Sequence, residues 1–252
     1  MIDLLLAPNP GPMTLDGTNT YLLGDPGEPR VVVDPGPVED DHLAAILAAA
    51  PAGIAEIWLT HHHLDHLAAV PVLAAETGAL VRAWRTPTEL EVEVDRFAPL
   101  ADDQRLPAGA RAIHIPGHTS DSVGFVVADD PGPVLLTGDM VLGRGTTVIT
   151  HPDGDVGAYL ASLDRMRGLV DGEPLVALLP GHGPRLDDPA AALDHYLRHR
   201  QQRLDQVRAV LAEGAQTAEE VVEIVYAEVD ASVKQAALWS VRAQLDYLQA
   251  ED

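Results

Sequence analysis

The chain of 252 residues is long enough for one large domain, or for one domain with a small appendage, and 46% hydrophobic residues can build a sizeable core. The absence of cysteine excludes disulfides, zinc–thiolate sites and a cysteine nucleophile. A net charge of −23 disfavours nucleic acid and anionic membranes as partners. The N-terminus lacks the features of a signal peptide and no stretch is long and apolar enough to span a bilayer, so we expect a cytoplasmic protein.

The first half of the chain alternates short apolar runs with helical patterns, and a loop rich in turn-forming residues lies at 9–20. An acidic stretch at 87–103 is predicted to be helix or irregular cover over the core. The pattern predicts strands at 2–6, 21–23, 31–33, 55–60 and 80–84, and helices at 42–50 and 67–77.

The second half continues in the same way and then becomes helical. Asp153 or Asp155 is predicted to cap a helix at 155–169. After Gly214 the spacing from Thr217 to Glu220 is that of a capping box. We therefore predict a main domain at 1–195 and a small helical unit at 196–252. Strands are predicted at 111–116, 123–127, 134–137 and 175–179, and further helices at 189–213, 217–227 and 234–248.

Between a predicted strand and a predicted helix lies a dense group of metal-ligand side chains. Neutral imidazoles and a carboxylate suit a borderline cation such as Zn²⁺. An expression tag would lie at a terminus and would lack the carboxylate. His62, between two of the candidates, is expected to point away from the metal, and His42 and His151 are expected to lie at the surface. The four candidates, in the order His-x-His-x-Asp-His, are His61, His63, Asp65 and His66, the first two spaced to hold one ion and the last two a second.

Three further ligand-type residues each follow a strand and a Gly, in the patterns Pro-Gly-His, Thr-Gly-Asp and Pro-Gly-His. Each alone is weak evidence, because a single His or Asp at a strand end is usually structural. With the cluster at 61–66 they predict one joint site along an edge of the sheets. These residues are His118, Asp139 and His182.

The order of these motifs resembles the metallo-β-lactamase-fold hydrolase superfamily over about residues 1–190. The resemblance implies an α+β fold, a four-layer αβ/βα sandwich, with two divalent ions at its edge. Zn²⁺ is the expected metal, with Fe or Mn as alternatives. Asp65 and Asp139 are then the catalytic carboxylates that orient a bridging hydroxide. The implied ligands are His61, His63 and His118 for one metal and Asp65, His66 and His182 for the other, with Asp139 bridging both.

A narrower resemblance links the loop at 9–21 and the tail to the branch typified by lactamase-beta-like protein two and, more distantly, glyoxalase II. The presence of Asp139 and the absence of cysteine argue against β-lactam hydrolysis. The resemblance implies a winged-helix-like module at 196–252, although no β-wing is evident after its third helix. It also suggests His199 and Arg200 as substrate residues, and Arg144 is a further candidate from its position after the Asp139 loop.

Two enzymatic functions remain open. A hydrolase of a small-molecule or carrier-bound thioester or ester fits the acidic surface, whereas a single-strand endoribonuclease fits the branch. A non-enzymatic module with a vestigial site is disfavoured, because all seven ligand positions are intact. We see no basic, aromatic-lined track of the kind that binds single strands, and therefore favour the thioester or ester hydrolase. The sequence does not indicate an oligomeric state.

Overall fold

The computed structural model describes residues 1–251 and contains two β-sheets with helices outside them. The helices are α1 (Asp40–Ala49), α2 (Leu64–Leu67), α3 (Val70–Thr77), α4 (Val156–Gly172), α5 (Pro189–Ala212), α6 (Ala218–Val225) and α7 (Lys234–Glu251). The strands are β1 (Ile2–Leu6), β2 (Asn19–Leu23), β3 (Arg30–Val33), β4 (Ile54–Trp58), β5 (Leu80–Ala83), β6 (Phe97–Pro99), β7 (Ala110–His114), β8 (Val123–Val127), β9 (Val134–Gly138) and β10 (Ala177–Pro180).

Both sheets are mixed. The first has the order β1-β2-β3-β4-β5-β6, antiparallel through β3 and parallel from β3 onward. The second has the order β10-β9-β8-β7, in which only β10 and β9 are parallel. Strands β4, β9 and β10 each have a parallel neighbour, and four of the seven predicted ligands follow their ends.

Alternate residues of each strand pack against different layers, as the two-residue period of a strand requires. In β2, Leu22 lies under α1 and α3, whereas Tyr21 and Leu23 face the space between the sheets. In that space the rings of Trp58 and Phe125 approach to 5.1 Å between centroids. The inner faces of the two sheets therefore form one shared core.

The outer face of the second sheet is covered by the later helices. Leu135 and Leu178 from the sheet pack with Tyr159 and Leu163 of α4 and Leu193 of α5. Helix, sheet, sheet and helix therefore form four layers, and the predicted sandwich is confirmed. None of the described helices is both long and apolar enough to cross a membrane.

Helices α5, α6 and α7 contact one another at the C-terminal end. Helix α5 runs without a break through residues 195 and 196, so its first turns pack on the main domain and its last turns on the C-terminal helices. In residues 1–251 no strand follows β10.

Two local predictions were right only in part. The stretch 87–103 is mostly turns and irregular chain, as predicted, but it also contains a short strand, β6, which pairs with β5 at the sheet edge. A strand of three residues is imposed by its neighbour and has no periodicity of its own. The predicted helix at 67–77 is two helices, α2 and α3, and the first begins inside the ligand cluster.

The predicted capping box of α6 is present. The Thr217 hydroxyl accepts from the backbone N–H of Glu220, and the Glu220 carboxylate accepts from the N–H of Thr217.

We expect Thr217→Ala to lower the free energy of unfolding by about 1 kcal/mol in urea titration, because an N-cap hydroxyl satisfies an otherwise free N–H. Thr217→Asn is the matched control and should stay near wild type, since Asn also caps. Equal losses in both variants would contradict the capping role.

Candidate metal centre

Strand ends bring the seven predicted ligands together. His61 and His63 follow β4, His118 follows β7, and Asp139 comes directly after β9. His182 follows β10, while the remaining two lie on the short helix α2, not in a loop as predicted. The side chains form overlapping groups in which the potential ligand atoms lie within 4.8 Å of one another: His61, His63 and His118; His61, His66 and Asp139; and Asp65, His66 and His182.

The first cluster consists of three imidazoles. His63 Nδ1 lies 3.0 Å from His61 Nε2 and 3.1 Å from His118 Nε2. Two nitrogens on a tetrahedral zinc, each at about 2.0–2.1 Å, would be about 3.3 Å apart. The three nitrogens therefore have the mutual spacing that a shared cation requires.

The second cluster adds a carboxylate. His66 Nε2 and His182 Nε2 are 3.2 Å apart, and Asp65 Oδ2 lies 3.1 Å from His182 Nε2. Asp139 lies between the clusters, with Oδ2 3.3 Å from His182 Nε2 and 3.8 Å from His118 Nε2. Its Oδ1 is buried without a hydrogen-bond partner among the described residues, as expected for an oxygen reserved for a cation. The donor set fits two divalent ions bridged by Asp139.

The clusters differ in protonation. Burial, followed by the neighbouring ring of His118, lowers the pKa of His63 to about 3, and burial also lowers the pKa of His61 and of His118. In the second cluster burial is opposed by carboxylates. The charges of Asp65 and Asp139 raise the pKa of His66 to about 9, and Asp139 raises that of His182 to about 11. Without metal, the first cluster is neutral at pH 7 and the second carries protons.

Asp34 orients histidines of both clusters and was missed as a site residue by the sequence analysis. His66 Nδ1 donates to Asp34 Oδ2 at 2.9 Å. The Thr60 hydroxyl donates to the same oxygen at 2.7 Å and accepts from His61 Nδ1 at 3.0 Å. Partners of this kind fix the ring and leave Nε2 free for a metal. The available signal was an Asp before Pro-Gly at a strand end; here it is buried with φ +51°.

Backbone carbonyls orient two further rings. His118 Nδ1 donates to the Val148 carbonyl at 2.6 Å, and His182 Nδ1 donates to the Gly17 carbonyl at 3.1 Å. Close approach explains the glycine before His182, because a Cβ at Gly181 would lie 2.5 Å from Asp139 Oδ1. The Pro-Gly-His motif therefore reflects packing as well as ligation.

His62 points away from the two clusters, as predicted, and donates to Asp121 at 2.7 Å. Asp121 and Asp153 lie close enough to His62 to resemble a third metal group. Arg85, however, pairs with both carboxylates, at 3.7 Å from Asp121 and closer to Asp153. The Arg85 guanidinium supplies the positive charge that a metal would otherwise supply. We therefore interpret the group as an ion-pair network beside the site.

The three predicted substrate residues lie in different surroundings. His199 lines a cavity of about 240 Å³, and Arg200 lines the same cavity but is buried. Arg144 is exposed and pairs with Asp16. Among the described residues the cavity wall contains none of the seven ligand candidates; Thr147 and Val148 separate it from them.

Other histidines have structural contacts. His42, predicted to lie at the surface, is buried, with Nε2 3.0 Å from the Thr20 hydroxyl. The prediction was wrong because the ring fills a gap under the loop at Gly36, an arrangement without a sequence signal. His114 stacks on Trp84, with ring centroids 3.7 Å apart.

Comparisons with known proteins agree with this architecture. Residues 13–182 match the family model described as the metallo-beta-lactamase superfamily, and residues 217–252 match the beta-lactamase associated winged helix domain. The chain is 34% identical to a Beta-lactamase-like protein 2 homolog of Drosophila melanogaster over 98% of this chain and 87% of that protein. It is also 34% identical to an atrochrysone carboxyl ACP thioesterase of Aspergillus chevalieri, over 93% of this chain and 76% of that protein.

A solved structure extends the likeness to the whole fold. A metallo-beta-lactamase family protein from Thermus thermophilus superimposes with a TM-score of 0.78, over 99% of this chain and 93% of that chain, at 23% identity. The C-terminal helices therefore belong to a winged-helix domain attached to the sandwich.

Replacing Asp34 tests the orienting role. We expect Asp34→Asn to weaken metal binding on the order of 10- to 100-fold, because residues that hydrogen-bond to the ligands fix their orientation. Both clusters should be affected, since His61 and His66 depend on the same carboxylate. Metal content after dialysis, measured by plasma mass spectrometry, gives the result. Asp16→Asn, an exposed acid paired with Arg144, is the control; equal metal content in the two variants would contradict the role.

The protonation difference predicts a pH dependence. The pKa values of about 9 for His66 and about 11 for His182 lie above pH 7, so the second cluster must lose proton charge before its nitrogens bind metal. We expect the ion in the second cluster to release more protons than the ion in the first. Affinity there should rise with pH, on the order of tenfold per unit for each proton. Calorimetry of metal-free protein in buffers of different ionisation enthalpy measures this; equal release by both ions would refute it.

Proposed function

The chain belongs to the metallo-beta-lactamase superfamily, and we propose that it is a dinuclear metal-dependent hydrolase of a thioester or ester. The observation that supports this is the pair of ligand clusters joined by Asp139. Zn²⁺ is the proposed metal, because imidazole and carboxylate ligands suit it, and Fe or Mn can use the same ligands.

The proposed ligands follow the two clusters. His61, His63 and His118 would hold one ion, Asp65, His66 and His182 the other, with Asp139 shared. Bound there, the ions would lower the pKa of a shared water towards about 7 and polarise the substrate carbonyl.

Asp65 and Asp139 have distinct parts in this proposal. Asp65 has 29% of its side chain exposed and can meet water and substrate. Without metal, burial is outweighed by the charges of His66 and His182, which lower the pKa of Asp65 to about 2. In the loaded site these rings would be neutral, and the cations would keep the carboxylate ionised instead. Asp65 would accept a hydrogen bond from the attacking water and take its proton as the new bond to the acyl carbon forms. That proton would then pass to the thiolate or alkoxide that leaves as the C–S or C–O bond breaks. Asp139, almost buried, would also orient the water.

The cavity beside the centre supports a small-molecule or carrier-bound acyl substrate. None of its described lining residues is acidic, although the chain has 39 Asp and Glu. Met13 and Val148 give it an apolar wall, while Arg203 lies 4.8 Å over the Tyr226 ring. His199 has a buried Nδ1 without a partner, and burial, then Arg200 and Arg203, lower its pKa to about 4. A neutral ring with a free nitrogen can bond a polar group of an acyl chain.

The likeness to a protein named as an acyl-carrier thioesterase points in the same direction. Cleavage of single-stranded RNA is the second candidate. The lactamase-beta-like branch that the chain resembles includes an endoribonuclease, and the chain carries the winged-helix domain. The net charge of −23 opposes it, since RNA binding needs a positive surface.

A side-by-side assay tests both candidates. Purified protein loaded with Zn²⁺ is offered acyl-pantetheine thioesters and, separately, end-labelled single-stranded RNA. We expect thioester hydrolysis that stops when a chelator removes the metal. RNA cleavage without thioester turnover would instead establish the second candidate.

Asp139→Asn should keep the fold but lose most bound metal and at least 100-fold in kcat/KM, because one shared carboxylate joins the clusters. Circular dichroism verifies the fold and plasma mass spectrometry the metal. Asp153→Asn, in the adjacent ion-pair network, is the control and should retain both ions. A fully active Asp139→Asn protein would overturn the assignment.

A further inference from the structure

Arg200 of α5 is a buried cation without an ion pair among the described residues. The residue is only 3% exposed to solvent. The guanidinium lies 4.8 Å over the Tyr159 ring and Nη2 donates to the Thr147 carbonyl, while Nε has no partner. Burying an unpaired charge costs stability, so a cation in this setting is poorly explained by stability alone.

The segment that Arg200 holds touches both metal clusters. The Thr147 hydroxyl donates to the backbone carbonyl of Asp139, the proposed bridge. The next residue, Val148, accepts from His118 Nδ1 at 2.6 Å. A shift of residues 147 and 148 would therefore displace the bridging carboxylate and turn a histidine of the first cluster.

Other side chains anchor the same loop at different points. Near its start the Tyr159 hydroxyl donates to the Met140 carbonyl at 2.5 Å, and the Tyr196 hydroxyl accepts from the Leu142 N–H at 2.8 Å. Near its end the Ser240 hydroxyl of α7 accepts from the Ile149 N–H at 3.2 Å. Tyr196 and Arg200 are four residues apart, so they lie on one face of α5. Of these anchors only Arg200 holds Thr147, the residue whose hydroxyl reaches Asp139.

We infer that Arg200 is a positioning residue of the metal centre: through Thr147 and Val148 it fixes Asp139 and His118. The inference rests on the metal ligands of the proposed function but not on its substrate. It differs from the sequence-based expectation that Arg200 contacts substrate. Since partners of ligands typically affect metal affinity 10- to 100-fold, the effect is measurable without catalysis.

Two variants break the chain of contacts at different points. Arg200→Gln removes the cation, and Thr147→Val removes only the hydroxyl that reaches Asp139. We expect each to weaken metal binding about 10- to 100-fold in competition with a chromophoric chelator, at a temperature where circular dichroism shows folded protein. The double variant should lose no more than about the larger single loss, because both changes act on one path. Arg198→Gln, exposed on the same helix, should bind metal like wild type.

The outcomes separate this inference from the proposed function. If wild-type protein fails to bind two ions, the proposed ligands are wrong and both fall. If wild type binds two ions and both variants bind within about twofold of it, the positioning role alone is refuted. If Arg200→Gln does not fold, Thr147→Val decides, since it leaves the guanidinium in place. Additive losses of metal affinity in the double variant would show that Arg200 and Thr147 act through separate contacts, and would overturn the positioning role.

Discussion

The structure depends on holding candidate ligand atoms close together, although these atoms do not attract one another. Nitrogens of separate imidazoles lie 3.0 to 3.2 Å apart, and a carboxylate oxygen is buried without a partner. When the rings are neutral, the lone pairs of facing nitrogens repel each other. When the rings are protonated, their positive charges repel each other. A cation removes both penalties, so the surrounding fold must hold the atoms in place until one binds. The cost of that preorganisation is carried by contacts outside the ligand set.

Those contacts come from the layers of the sandwich. Asp34 at the end of β3 orients rings from the segment after β4, and the loop after β9 orients His118 after β7. Hydrogen bonds thus link strand ends within each sheet, between the neighbours β3 and β4 in the first and between β9 and β7, on either side of β8, in the second. Gly17, in the loop before β2, reaches His182 at the end of the second sheet. The edge of the sandwich is one connected polar network, whereas the interior between the two sheets is mainly apolar.

The candidate ligands, which the structure brings together, could be selected from the sequence because their chemistry is local: a His or Asp shortly after an apolar run, in three cases directly after a Gly, indicates both a ligand type and a position. The four layers were predicted from the family resemblance. The short strands alone would not have revealed these layers. The network behind the ligands was not predictable. Asp34 resembles any turn-forming aspartate, Val148 and Gly17 act through carbonyls that carry no sequence signal, and His42 looked exposed. The strand β6 was missed because its pairing depends wholly on β5.

Helix α5 joins the metal centre to the cavity beside it. Tyr196 and Arg200 face the loop after Asp139, while His199 and Arg203, also four residues apart, line the cavity. With 3.6 residues per turn these pairs form adjacent stripes on one helix, so a rotation or shift of α5 must change both together. The last turns of the same helix pack on the winged-helix domain. A continuous series of contacts therefore connects that domain, through α5, Arg200 and Thr147, with the backbone of Asp139.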